Sequence, residues 1–214
     1  MQTNRVVMKT FVCASVLLLS LLTAPASAQA VRQADLEDLT EAAREAEYHR
    51  LSGELQRYAE RQTWTAVEQA YLGCVATGAQ MKFADHFHAA HAAQARGDMQ
   101  AARNRLKKAL DLNPDPPRDL IDWLFAIDTT YSSAKVTAYE GASILPKNRP
   151  FDPVQSRAID WADQQLQTKG YFEGLLPRGM YTVDEVVVDL RPGKHGADVT
   201  VGEPKKKKKA KKRK

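Results

Sequence analysis

Cysteine is nearly absent from this chain of 214 residues, and its scarcity excludes whole classes of protein. Of two cysteines, Cys13 lies in an apolar N-terminal run, which leaves Cys74 alone in the body. One thiol closes no internal disulfide and builds no cysteine-rich metal site. Cys74 falls on an apolar helical stripe and reads as a small buried hydrophobe. Also missing are Gly-x-Ser-x-Gly, a glycine-rich phosphate loop and Cys-x-x-Cys. No pair of carboxylates stands in an apolar setting. The tryptophans Trp64, Trp123 and Trp161 sit at helical spacing and read most simply as core. No catalytic, cofactor-binding or metal-binding residue is assigned, no cofactor is expected, and the chain does not read as an enzyme.

The two ends differ from the body. Residues 1–28 have the pattern of a cleaved signal peptide: Arg5 and Lys9, the apolar run Phe11–Leu22, and the small-x-small site Ala26-Ser27-Ala28. Met8 is an alternative start. The apolar run is too short for a membrane span, so no transmembrane segment is expected after cleavage. Export is therefore expected, to the periplasm or the medium, with the envelope as a further address. Residues 204–214 hold Lys205, Lys206, Lys207, Lys208, Lys209, Lys211, Lys212, Arg213 and Lys214. Taking two cations in the leader and nine in the tail from 31 Lys and Arg leaves 20 against 26 Asp and Glu, so the body is near −6. Such a tail is expected to stay extended and to attract polyanions in a salt-dependent way. Export disfavours nucleic acid and leaves anionic lipid, surface polymers or an acidic partner.

Between the ends lie two expected domains. The first, 29–134, is helical. Leu36, Leu39, Ala42, Ala46, Leu51, Leu55 and Tyr58 follow a helical period, with Ser52-Gly53 as an expected break. Trp64, Val67, Tyr71 and Cys74 form a second stripe that stops at Gly78. Phe83–Pro114 reads as two helices joined at Gly97-Asp98, with Ala89, Ala90 and Ala93 before the turn and Met99, Ala102, Leu106 and Ala109 after it. This order and spacing resembles a tetratricopeptide (TPR) repeat. Trp64, Val67, Tyr71 and Cys74 stand 35 residues before Met99, Ala102, Leu106 and Ala109, which points to an earlier degenerate unit with Gln62 in place of the turn glycine. A further helix follows Pro116-Pro117, capped by Asp115, with the stripe Leu120, Leu124, Ile127 and Tyr131; it is expected to cover the last repeat.

The second domain, 135–203, is a small α+β unit, so the chain as a whole is expected to be α+β. Lys135–Glu140 alternates as a strand, and Ser143–Leu145 is a short one. Asp152-Pro153-Val154-Gln155 starts a helix that runs to Gly170. Leu176-Pro177-Arg178-Gly179 turns, Met180–Val183 and Glu185–Leu190 pair around Asp184, and Ala197–Val201 closes the set. The segment LLPRGMYTVDEVVVDLRPG resembles the hairpin of PEGA-type and carboxypeptidase-regulatory-like β domains. That resemblance implies a structural or surface-binding module.

Two local patterns invite chemistry. In His86-Phe87-His88-Ala89-Ala90-His91, His88 and His91 lie about 60° apart on a helix, with no third ligand in view. Ser132-Ser133-Ala134-Lys135 matches Ser-x-x-Lys by spacing alone, without its companion motifs. What the TPR resemblance implies is a groove for a protein or peptide partner, with Asp85, His88 and Arg96 as candidate contacts. The expected function is an exported interaction or scaffold protein with an anion-seeking tail. The alternative is a polyanion-binding envelope or secreted protein in which the tail is the active part.

Overall fold

The computed structural model describes residues 26–192 and 196–202, with side chains from Thr40 onward. The leader before Ala26 and the tail from Glu203 lie outside the described residues. The chain divides between Glu41 and Ala42, and all packing below belongs to the second unit. The fold is α+β. Five helices come first: α1 (Ala26–Glu60), α2 (Trp64–Thr77), α3 (Phe83–Arg96), α4 (Met99–Asp111) and α5 (Arg118–Thr130).

The break expected at Ser52-Gly53 does not occur, because α1 runs through it. An exposed glycine within a helix costs only about 1 kcal/mol relative to alanine, and tertiary contacts outweigh that. Leu55 is fully buried, the Ser52 hydroxyl donates to Asp85 at 2.7 Å, and Arg50 bridges Glu47 and Glu54 along the surface. Where α1 meets α2, Leu55, Ala59, Val67, Ala70 and Tyr71 form a core together with Ala89 and Ala92 of α3.

The two interhelical turns match bond for bond. At the α3–α4 turn, Gly97 N–H donates to the Gln94 carbonyl (3.0 Å), Asp98 N–H to Ala93 (3.0 Å) and Met99 N–H to Gly97 (2.9 Å). At the α1–α2 turn, Gln62 donates to Ala59 (2.9 Å), Thr63 to Tyr58 (2.9 Å) and Trp64 to Gln62 (3.0 Å). Every donor and acceptor is displaced by 35 positions. Gly97 has φ +93°, and Gln62 takes the same left-handed region with φ +54°. Three of the four paired stripe positions are buried in both helices, Val67 with Ala102, Tyr71 with Leu106 and Cys74 with Ala109; at the fourth, Met99 is buried and Trp64 half-buried.

Tyr131 was expected to close the stripe of α5. The helix instead ends at Thr130, and Tyr131 opens strand β1 (Tyr131–Thr137). Asp115 does not cap α5, since Pro117 holds the N-cap position without a side-chain bond. After β1 come β2 (Ile144–Pro146), α6 (Pro153–Lys169), β3 (Tyr171–Pro177), β4 (Met180–Val183), β5 (Val186–Asp189) and β6 (Ala197–Thr200). One sheet has the order β3-β1-β6, with β1 antiparallel to β3 and parallel to β6; the other is the antiparallel β2-β4-β5. Periodicity did not reveal β3. Its inward positions are Phe172, Gly174 and Leu176, and the middle one carries no side chain. The Phe172 ring fills that gap, since a Cβ on Gly174 would stand 2.9 Å from it. Asp184, at φ +53°, makes the two-residue turn between β4 and β5.

Helix α6 starts with Asp152 accepting from Val154 N–H at 2.8 Å and ends at left-handed Gly170. It serves two cores. Ile159, Ala162 and Leu166 pack with Val136, Ile144, Phe172, Tyr181, Val183 and Val188 of the sheets. Ala158 packs with Ala90, Met99, Leu106, Leu120, Ile127 and Tyr131. Gly97 seats the α3–α4 turn on α6: a Cβ there would collide with the Arg157 carbonyl oxygen and stand 2.9 Å from Trp161 Cβ.

Candidate functional site

The three partner-facing candidates read from the sequence part company. Asp85 is corrected outright, being 2% exposed with its carboxylate spent inside the protein. Tyr48 hydroxyl donates to it at 2.6 Å, Ser52 hydroxyl at 2.7 Å and Lys82 N–H at 3.1 Å. The carboxylate thereby ties α1 to the first turn of α3. Burial, then Asp85, pushes the Tyr48 phenol up to about 12, so it remains a donor at any ordinary pH. Arg96 is exposed but engaged: its Nη2 lies 3.2 Å from Glu68 and 3.5 Å from Asp98, and its guanidinium sits 5.0 Å over the Trp161 ring. His88 is half-buried, with its ring 5.5 Å from that of Phe87.

Behind Arg96 is a buried ion pair. Arg105 of α4 donates to Glu68 of α2 through Nη1 at 2.5 Å and Nη2 at 2.8 Å, and again from Nη1 to the Ala89 carbonyl of α3 at 2.9 Å. The guanidinium lies 4.3 Å over the Tyr71 ring, whose hydroxyl is 3.2 Å from His86 Nδ1. Burial pushes the Glu68 carboxyl up, but the hydrogen bonds and charge of Arg105, with Arg96, outweigh it and hold the group below its usual range. One bidentate pair thus fastens three helices.

The local chemistry suggested by sequence does not assemble. In a strand, residues three apart point to opposite faces. Ser132 is accordingly buried and Lys135 exposed on β1, so the Ser-x-x-Lys spacing brings no nucleophile to a base. His86 is turned inward to Tyr71 while His88 and His91 lie half-buried, and among the described residues no cluster of three His, Cys, Asp or Glu can hold a metal. Burial lowers the pKa of all three histidines, with Lys108 adding to this at His86 and His88 at His91.

What does assemble is an aromatic groove between α3 and α5. Phe87, His91 and Gln94 of α3 face Asp119, Leu120 and Trp123 of α5 around about 320 Å³. The His91 ring is sandwiched: it stacks on Trp123 at 4.5 Å and 28°, and on Trp64 at 6.3 Å and 26°. Phe87 stands edge-on to both groove rings, 4.7 Å and 87° from His91 and 6.5 Å and 85° from Trp123. The Trp123 indole N–H is buried and has no acceptor among the described residues. Trp64 and Trp123, expected as plain core, are therefore only half-buried and flank this site. The histidine cluster is visible in the sequence, and its groove-lining member is His91 rather than His88. The available signal was Phe87 and His91 at i, i+4, one apolar-aromatic face of α3.

A scan against protein-family models and searches of curated proteins and of solved structures return no match to this chain. No helix among the described residues is long and apolar enough to cross a membrane.

Proposed function

We infer that this chain is an exported, non-enzymatic interaction protein whose TPR-like helical hairpins bind a segment of a partner protein in the α3–α5 groove. The observation that carries this reading is the groove itself: an open hollow walled by half-buried aromatic rings, with the exposed Asp119 carboxylate at its edge. Aromatic walls of this kind are what binding hot spots are made of. The bond-for-bond equivalence of the two interhelical turns supports the TPR-like reading. The α+β part, gripping the turn at Gly97, would act as the buttress that holds α3 in place. The tail from Lys205 would hold the protein near an anionic surface, giving a two-point attachment.

The rival reading makes the nine-cation tail the active part and the folded body a carrier. A photo-crosslinking amino acid at Gln94, in the full chain and in a chain ending at residue 204, separates them. Under the groove reading, one partner is crosslinked from position 94 at high salt with or without the tail. Capture that needs the tail and vanishes with salt would establish the rival.

A further inference from the structure

The groove is charged in one sense only. Of its six lining residues, Phe87, His91 and Trp123 present rings, Leu120 is apolar and buried, Gln94 is an amide, and Asp119 is the single acidic residue. No Lys or Arg lines it. Asp119 is exposed in the first turn of α5 and makes no hydrogen bond or ion pair with another described residue. The adjacent Arg118 is directed to Asp122, 4.0 Å away. His91 adds a ring without adding a charge at neutral pH, because burial, with His88 beside it, lowers its pKa.

An anionic ligand would meet one carboxylate and no cation here. A cationic one meets the Phe87 and Trp123 rings, 6.5 Å and 85° apart, and a carboxylate with no partner among the described residues. Aromatic faces attract ammonium and guanidinium groups by about 0.5–2 kcal/mol, more as water is excluded.

We propose that the α3–α5 groove binds a basic residue, Lys or Arg, of a partner peptide, its cationic head between the Phe87 and Trp123 rings and the Asp119 carboxylate. The aliphatic stem of that residue would lie along Leu120 and the rings. The proposal rests on the groove reading above and names the ligand's chemistry within it.

The test uses the full chain and three blocked tripeptides: acetyl-Gly-Lys-Gly-amide, its arginine counterpart, and the neutral acetyl-Gly-norleucine-Gly-amide. The indole N–H resonance of Trp123, assigned with Trp123→Phe, reports on the groove. The lysine and arginine peptides should shift it saturably, with norleucine roughly 3- to 10-fold weaker. Asp119→Asn, at an exposed position, should remove most of that preference, read as the ratio of lysine to norleucine affinity measured well below the variant's own melting temperature. Equal binding of lysine and norleucine, or no effect of Asp119→Asn on the preference, would overturn the cation proposal and leave the groove reading standing. Failure of every peptide to move Trp123, together with no crosslink from Gln94, would overturn both. A Trp123 shift on deleting 205–214 with no peptide added would make the chain's own tail the occupant and likewise overturn it.

Discussion

Gln62 occupies in the α1–α2 turn the left-handed position that Gly97 occupies in the α3–α4 turn, 35 residues later, with the same three backbone hydrogen bonds around each. A residue with a Cβ pays roughly 1–2 kcal/mol for this conformation, and glycine does not. Gln62→Gly should therefore stabilise the protein, by up to about 1 kcal/mol once the entropy that glycine gains in the unfolded chain is subtracted. Gly97→Ala should do the reverse and cost more, about 2–3 kcal/mol, since it adds a collision with α6 to the backbone strain. Urea unfolding midpoints of the two variants check both signs. A mild Gly97→Ala would mean that the turn does not bear on α6.

The Glu68–Arg105 pair should show the asymmetry of buried ions. Removing one partner strands a charge in the interior, so Arg105→Met or Glu68→Leu should each cost about 3–5 kcal/mol. The double substitution should cost far less than the sum. A double-mutant cycle in urea reads the coupling directly. Arg96, 3.2 Å from Glu68, should soften the Arg105→Met loss by remaining as a partial partner.

Asp85 should behave as a structural acceptor. Asp85→Ala takes the acceptor from the buried Tyr48 hydroxyl and the part-buried Ser52 hydroxyl, while Lys82 N–H keeps Tyr48 at 3.0 Å; an unmet buried donor costs about 1–3 kcal/mol. The melting temperature should fall, while peptide binding at the Trp123 resonance, measured well below melting, should keep its affinity. Loss of binding without loss of stability would return Asp85 to a partner-facing role.

Stability should fall on acidification in two stages. His86, His88 and His91 all have folded-state pKa values lowered from 6.5, chiefly by burial. The unfolded chain then takes up protons that the folded chain refuses, so protons favour unfolding. Their contribution is complete above about pH 6.5 and is lost as the pH falls from there through the lowered folded values. Glu68, also lowered in the fold, adds stability that is complete above its unfolded value of 4.5 and is lost on further acidification. Calorimetric melting from pH 8 to pH 3 should show a decline beginning near neutrality and a second near pH 4. A flat profile between pH 7 and pH 5 would mean that the histidines are not buried as described.

Much of the helical half was legible because its signals are local. The Gly97-Asp98 turn, the stripes through Val67, Tyr71 and Cys74 and through Ala102, Leu106 and Ala109, and the Asp152-Pro153 start of α6 each follow from residues within one or two helical turns. The 35-residue offset was visible in the sequence as well, down to the odd Gln62. Strand β3 was hidden because Gly174 takes the place of an inward side chain, and a strand signal needs those side chains to alternate. The continuation of α1 through Gly53 was hidden because Leu55 and Ser52 gain their partners only from helices far along the chain.

The sequence by itself determined the elements, since periodicity, capping and turn chemistry act between neighbours in the chain. It also determined the charge contrast between an acidic body and a cationic tail, which is a matter of composition. Tertiary structure decided which face of α3 looks outward. Asp85 and Phe87 are two residues apart, yet one is sealed against Tyr48 and the other lines the groove with Trp123. That choice depends on where α1 and α5 press against α3, and those contacts join residues more than 30 positions apart, beyond the reach of any local pattern.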